Sequence, residues 1–210
     1  MKSNKILKDE GWASLSGKWG TSALFTLVYL IIVGVISGLS EAGNLVGEAT
    51  GSITSLAITI VLCSPLEMSY EIAFLKQFRG EEQQLGMLGI GFESRKWKTS
   101  MLKNLYTILW ACLFLIPGIV KNYSYAMTSF IMNDDPEISG NAAIEKSMRM
   151  MQGKKMQLFL MDLTFLLWVI LSIFTLGILL LWMEPYFTSS HAAFYEDVKA
   201  ELGQENASVE

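Results

Sequence analysis

The chain has 210 residues, 51% of them hydrophobic, with 16 Lys and Arg against 20 Asp and Glu and a mean hydropathy of +0.37. A net charge of −4 with no basic run excludes a nucleic-acid-binding surface, and two isolated cysteines exclude a disulfide framework. A soluble domain of this size needs no apolar runs as long as those found here, so the composition points to an all-α, membrane-embedded chain.

Lys2, Lys5, Lys8 and Lys18 precede the first apolar run, Leu24–Leu39, and with Gly38 and Ser40 imitate a signal peptide. The run starts late, however, and its lead-in Lys18-Trp19-Gly20-Thr21-Ser22-Ala23-Leu24 returns as Lys96-Trp97-Lys98-Thr99-Ser100-Met101-Leu102. The sequence therefore predicts a retained span, the first of a repeated unit, with a degenerate third lead-in at Lys154-Lys155-Met156. Gly34 and Gly38 have the spacing of a close-packing helix face. The acidic segment Glu41–Glu48 leads to a second run, Ile53–Leu75, with Cys63 as a small buried hydrophobe. Glu67 and Glu71 share one face of that helix, as a carboxylate pair for a cation or proton or simply as partners of a basic neighbour. The glycine-rich stretch Glu81–Phe92 reads as a loose surface segment.

The third run, Leu105–Val120, holds the second cysteine, Cys112, and begins just after Lys103, which either pairs with Asp162 or extends its amine to the headgroups. Pro117 and Gly118 suit a tight turn, because Pro lacks an N–H and Gly tolerates positive φ. A fourth helix over Ile119–Asn133 follows, only about 22 Å long at 1.5 Å per residue; the alternative is one kinked helix from Leu105 to Met132. After Asp134-Asp135-Pro136-Glu137, an amphipathic helix over Ser139–Gln152 is expected to lie on the membrane, ended by Gly153. The last run, Leu158–Met183, is either one tilted span or part of a hairpin folded at Thr175-Leu176-Gly177, with Pro185 grouped with Gly177 among the turn residues. The chain then divides into one membrane domain, residues 1–199, and an acidic disordered tail, 200–210.

Charge placement decides between topologies. With four spans, Lys121, Lys146, Arg149, Lys154 and Lys155 would all face outward, against the positive-inside rule. With six spans, as three pseudo-repeated helical hairpins with both termini cytoplasmic, 15 of the 16 basic residues fall on or near the inner side and only Lys121 does not. A further echo supports the repeat: Ala73-Phe74 follows Pro65, and Ala193-Phe194 follows Pro185, at the same offset, with Ser129-Phe130 as the middle counterpart.

The second half carries a specific order of motifs. Pro117-Gly118-Ile119, Lys121, Ser124-Tyr125 and Asp135-Pro136-Glu137-Ile138 are followed by Ala143-Ile144, Ser147, Met151, Gly153 and Lys155. Asp162-Leu163-Thr164-Phe165, Trp168, Gly177-Ile178, Trp182, Pro185-Tyr186 and Phe194-Tyr195 complete it. From about Lys103 to Asp197 this resembles the domain-of-unknown-function family 975 of bacterial integral membrane proteins. It is more distantly similar to the membrane portion of some glycerophosphodiester phosphodiesterases, whose soluble catalytic barrel is missing here. The resemblance implies a multi-pass protein of the bacterial inner membrane and no particular reaction. Glu184 stands where the family pattern suggests an apolar residue.

Ionisable groups within a bilayer cost about 2.5–3.5 kcal/mol each at its centre, so each needs a partner or a purpose. Lys121 and Glu184, both shortly after an outer turn, are expected to form an ion pair joining the second and third hairpins. His191, the one histidine, reads as a hydrogen-bonded packing residue rather than a metal ligand. No nucleophile elbow, zinc-binding helix or phosphate loop is present, so the expectation is a non-enzymatic protein without metal or cofactor. It would act as a scaffold or accessory protein engaging the lipid bilayer, anionic lipid through Asn133–Lys155 with Lys96 and Lys98, or a partner membrane protein. The alternative is a small transporter or channel using Glu67, Lys121, Asp162 and Glu184.

Overall fold

The computed structural model describes residues 1–42, 57–113 and 115–207, and among these every regular element is helical. The acidic segment beyond Ala42 and the predicted start of the second run, residues 43–56, lie outside the described residues.

Helix α1 (Asn4–Leu15) precedes the long apolar α2 (Trp19–Ala42). A π-helical turn at Thr59–Cys63 runs into α3 (Ser64–Phe78), with Pro65 in its first turn, where a missing N–H costs no hydrogen bond. A 3-10 helix at Leu85–Phe92 leads to α4 (Ser94–Leu113), α5 (Leu115–Tyr125) and α6 (Thr128–Asp134). Then come α7 (Gly140–Met150), α8 (Lys155–Leu163), α9 (Leu166–Phe174) and α10 (Leu180–Ala207).

The lead-in repeats each start a helix: Trp19 opens α2, Trp97 lies in the first turn of α4, and Lys155 opens α8. The echo downstream is a packing echo. Ala73-Phe74 of α3, Ser129-Phe130 of α6 and Ala193-Phe194 of α10 are all buried, and they contribute to the two apolar clusters at the centre of the molecule.

Between α4 and α5 the chain reverses, but not where the sequence suggested. Pro117 and Gly118 are not the turn; they lie in the first turns of α5, and Gly118 has no positive φ. Proline is tolerated at a helix start, and glycine serves a close approach instead: a Cβ at 118 would stand 2.7 Å from the Cα of Ala111. The single kinked helix is excluded, because Lys121 comes back over the Trp110 ring at 4.8 Å, and eleven residues of continuous helix would separate them by about 16 Å. The expected fourth helix is two helices, α5 and α6, broken at residues 126–127.

That break is held by Ser147 of α7. Its hydroxyl donates to the Ser124 carbonyl at 2.8 Å and accepts the Met127 N–H at 3.2 Å, satisfying both backbone groups the break exposes. Ser147→Ala leaves two buried backbone groups unpaired, and the expected cost is about 2–3 kcal/mol, read as a lower unfolding midpoint in detergent. Ser147→Thr keeps the hydroxyl and is expected to avoid much of that loss.

Residues 85–92 are not loose. The Gly91 N–H donates to Ser69 Oγ at 2.7 Å, and a Cβ at 91 would fall 1.9 Å from the Pro65 carbonyl oxygen. Gly91→Ala must push the 3-10 helix off α3, and a loss of about 1–3 kcal/mol is expected in the same unfolding assay.

The third reversal is where the sequence placed it: Leu176 and Gly177 have φ of 52° and 83°. Pro185, grouped by the sequence with the turns, instead lies inside α10. Two further corrections follow from packing. The tail from Ala200 is helical through Ala207, its Glu201 carboxylate meeting the N-terminal amine at 3.7 Å. Cys112 is exposed rather than buried.

Helix α1 was not anticipated. It runs antiparallel to α10, with Lys2 N–H on Asp197 at 2.9 Å at one end and Trp12 edge-on to Tyr186 at the other. Leu7, Gly11 and Leu15, four residues apart, form its buried stripe. Chain start and C-terminal helix therefore share one end of the molecule.

Candidate functional site

Three groups of ionisable side chains lie between the helices. In the first, Glu67 and Glu71 on one face of α3 meet Lys103 of α4, whose Nζ stands 3.8 and 3.7 Å from their carboxylates. Asn104 extends the group, donating to Ser64 Oγ at 2.7 Å and to Glu67 Oε2 at 3.4 Å. Lys103 is buried, and its partners are these two glutamates, not Asp162 and not the headgroups.

In the second group Asp162 of α8 is bonded from two helices. His191 Nε2 of α10 lies 2.7 Å from Oδ1, and the Tyr123 hydroxyl of α5 donates to Oδ2 at 3.0 Å. With Nε2 protonated the imidazole donates, and both carboxylate oxygens are then satisfied. Phe187 lies against the ring at 4.3 Å and holds its plane. Glu184 stands two helical turns before His191 on the same stripe of α10. Among the described residues no hydrogen-bond donor or cation reaches its carboxylate.

Asp162, Glu184 and Tyr123 share a cavity of about 420 Å³ whose other walls are apolar, among them Phe159, Phe165 and Met183. A second cavity of about 310 Å³ is lined by Trp12, Trp19, Trp168, Trp182, Tyr186 and, in common with the first, Met183.

The ion pair expected between Lys121 and Glu184 does not form. Tyr123 faces α8, and Lys121, two residues earlier and so about 200° around the helix, faces α4 and α7. There its amine lies over the Trp110 ring at 4.8 Å and 4.0 Å from Met148 Sδ.

The third group lies where α3 and α6 finish against the middle of α10. Arg79 grips Asp134 through two parallel hydrogen bonds of 2.6 and 2.9 Å and reaches Glu196 through Nε at 2.7 Å. Tyr195 O–H donates to Asp134 at 2.9 Å, and Lys199 also bonds it. Burial alone would lift the Asp134 carboxyl, but the bonds from Arg79, Lys199 and Tyr195 outweigh it and hold the group well below the usual carboxylate range. Those bonds, chiefly from Asp134, raise the Arg79 guanidinium further. Sequence reasoning missed this group because Asp134 lies 55 to 65 positions from Arg79, Tyr195 and Lys199. Lys96, expected at the surface, is buried and pairs with Glu93 at 2.8 Å, which leaves Lys98 as the exposed member of that lead-in.

Chemically, the interior groups can hold charge and orient a bound group. They show no nucleophile set beside a base, and among the described residues no three His, Cys, Asp or Glu side chains converge to hold a metal ion. Two helical stretches, Trp19–Leu39 and Lys155–Phe174, are long and apolar enough to cross a membrane. Among the described residues this is an all-helical protein with two candidate membrane-crossing stretches and ionisable groups gathered between its helices. Residues 114–202 match the family model described as Protein of unknown function (DUF975), and over that stretch the chain is similar to that family. No curated protein and no solved structure matches the chain.

Proposed function

We propose that the chain is a multi-pass protein of the bacterial inner membrane, built of three helical hairpins with both termini cytoplasmic. In this reading it acts as a non-enzymatic scaffold or accessory protein engaging lipid or a partner membrane protein. The observation that carries the reading is the pairing of interior charge. Lys103 is spent on Glu67 and Glu71, and Asp162 on His191 and Tyr123, whereas a conducting path needs such groups free and in line. The outer surface supports membrane insertion: Leu167, Ile173, Phe174 and Leu176 are 71–94% exposed, a face that water would disfavour and acyl chains would cover. Arg79, Lys154 and Lys199 gather at the end that holds the chain start, as expected of an inner face.

A transporter remains the second reading because Glu184 opens into the same cavity as Asp162. Two measurements test the proposal. On a cysteine-free background, a cysteine at Leu176 is expected to react with an impermeant thiol reagent from outside intact cells, and one at Ser139 is not. In proteoliposomes the protein is expected to add no proton or alkali-cation flux; a flux abolished by Glu184→Gln would replace the scaffold with the transporter.

A further inference from the structure

The cavity between α5, α8, α9 and α10 has one chemical character that the scaffold reading does not use. Its polar lining consists of a phenol and two carboxylates, Tyr123, Asp162 and Glu184, with no cation among the lining residues. The rest is apolar, and about 420 Å³ lies within the range of small-molecule sites. Asp162 already accepts from His191 and Tyr123, so its oxygens are occupied; Glu184 has no such partner among the described residues. The basic groups nearby are committed elsewhere. Lys8 Nζ donates to Thr164 Oγ1 at 3.0 Å and lies over Phe165 at 5.8 Å, and Lys121 lies over Trp110.

A carboxylate facing an apolar, water-poor space is stabilised most by a cation that brings its own apolar body. We infer that this cavity binds a cationic amphiphile, an ammonium group on an alkyl chain, with the ammonium at Glu184 and the chain along Phe159, Phe165 and Met183. The phosphate of a zwitterionic phospholipid headgroup is disfavoured, because it would stand beside two carboxylates with no lining cation to receive it. The ligand class therefore excludes phosphocholine and phosphoethanolamine lipids. Tyr123 and His191 act as positioning residues: they fix the Asp162 carboxylate and so keep the cavity floor negative. The inference rests on the reading that this face of the bundle meets lipid, from which such an amphiphile would enter.

The test is titration calorimetry of the full chain in a neutral maltoside detergent, with dodecyltrimethylammonium, dodecylphosphocholine and dodecanol as probes. The expected result is saturable binding of the ammonium probe, at least tenfold tighter than either of the others. Glu184→Gln is expected to weaken it at least tenfold while leaving the weak binding of dodecanol unchanged. Because removal of an interior charge can disturb folding, Val169→Trp provides a second arm. It fills the cavity from its apolar wall, keeps both carboxylates, and is expected to block the ammonium probe. Equal affinity for ammonium and alcohol, or full affinity in either variant, would overturn the inference. These outcomes are independent of the thiol-labelling and flux results, so a failure here is distinguishable from a failure of the scaffold reading.

Discussion

Lys103→Met is expected to produce the largest loss of stability among single interior substitutions, about 3–5 kcal/mol, the range for removing one partner of a buried ion pair. Lys103 joins α4 to α3, and its amine is the cation shared by Glu67 and Glu71. Without it, two carboxylates four residues apart face each other across one helix face, and Oε2 of Glu71 is already buried without a hydrogen bond. Methionine matches the length of the lysine stem, so packing is nearly conserved and the effect reports charge. The decisive comparison is the triple variant Lys103→Met, Glu67→Gln, Glu71→Gln, which removes all three charges and is expected to recover most of the lost stability. Thermal unfolding in detergent, followed by far-ultraviolet circular dichroism, measures both. A triple variant no more stable than Lys103→Met alone would show that the lysine acts through packing or through a partner other than these glutamates.

Asp134→Asn is the second large effect. The substitution keeps shape but removes the charge at the meeting point of Arg79, Tyr195 and Lys199, the group that ties the ends of α3 and α6 to the middle of α10. Hydrogen bonds to charged partners contribute about 1.5–3 kcal/mol, and Arg79 keeps Glu196, so a loss of about 2–3 kcal/mol is expected. The pH dependence has a definite sign. The Asp134 carboxyl titrates lower in the folded protein than in the unfolded chain, so its contribution is full above the unfolded value, near 4. It is lost as pH falls from there through the lower folded value. Between pH 5 and 8 the gap between the native protein and Asp134→Asn is therefore expected to stay constant, and below pH 4 it is expected to close. A gap that closed already between pH 7 and 5 would assign the effect to a different group.

The same two groups show which features were legible in the sequence. That Glu67 and Glu71 share a face follows from helical periodicity alone. The choice of Lys103 as their cation, in preference to Asp162 as its anion, depends on how α4 turns against α3, and no spacing encodes that. Lys121 and Glu184 stand three and seven residues after Gly118 and Gly177 and were expected at comparable depth, yet the direction of Lys121 on α5 separates them. Helix α1 was missed although Leu7, Gly11 and Leu15 carried the signal, because the lysines around them drew the eye to topology. Gly118 was read for backbone freedom and Gly91 as part of a loose segment, and both are used instead for close approach, a difference visible only once the neighbouring backbone is placed.

By itself the sequence determined the helical class, the repeated lead-ins, the third reversal at Leu176-Gly177, and the likeness of residues 114–202 to the family model. Each of these is local or additive: periodicity, φ preference and motif order need no knowledge of what lies across the bundle. The tertiary structure alone decided the pairing of Lys103, the Tyr123–Asp162–His191 cluster, the Arg79–Asp134 closure, and the cavity that Glu184 faces. These depend on the rotation of one helix against another. A rotation of about 100° per residue means that neighbours in sequence face different partners, so such pairings are properties of the packed bundle rather than of any one segment.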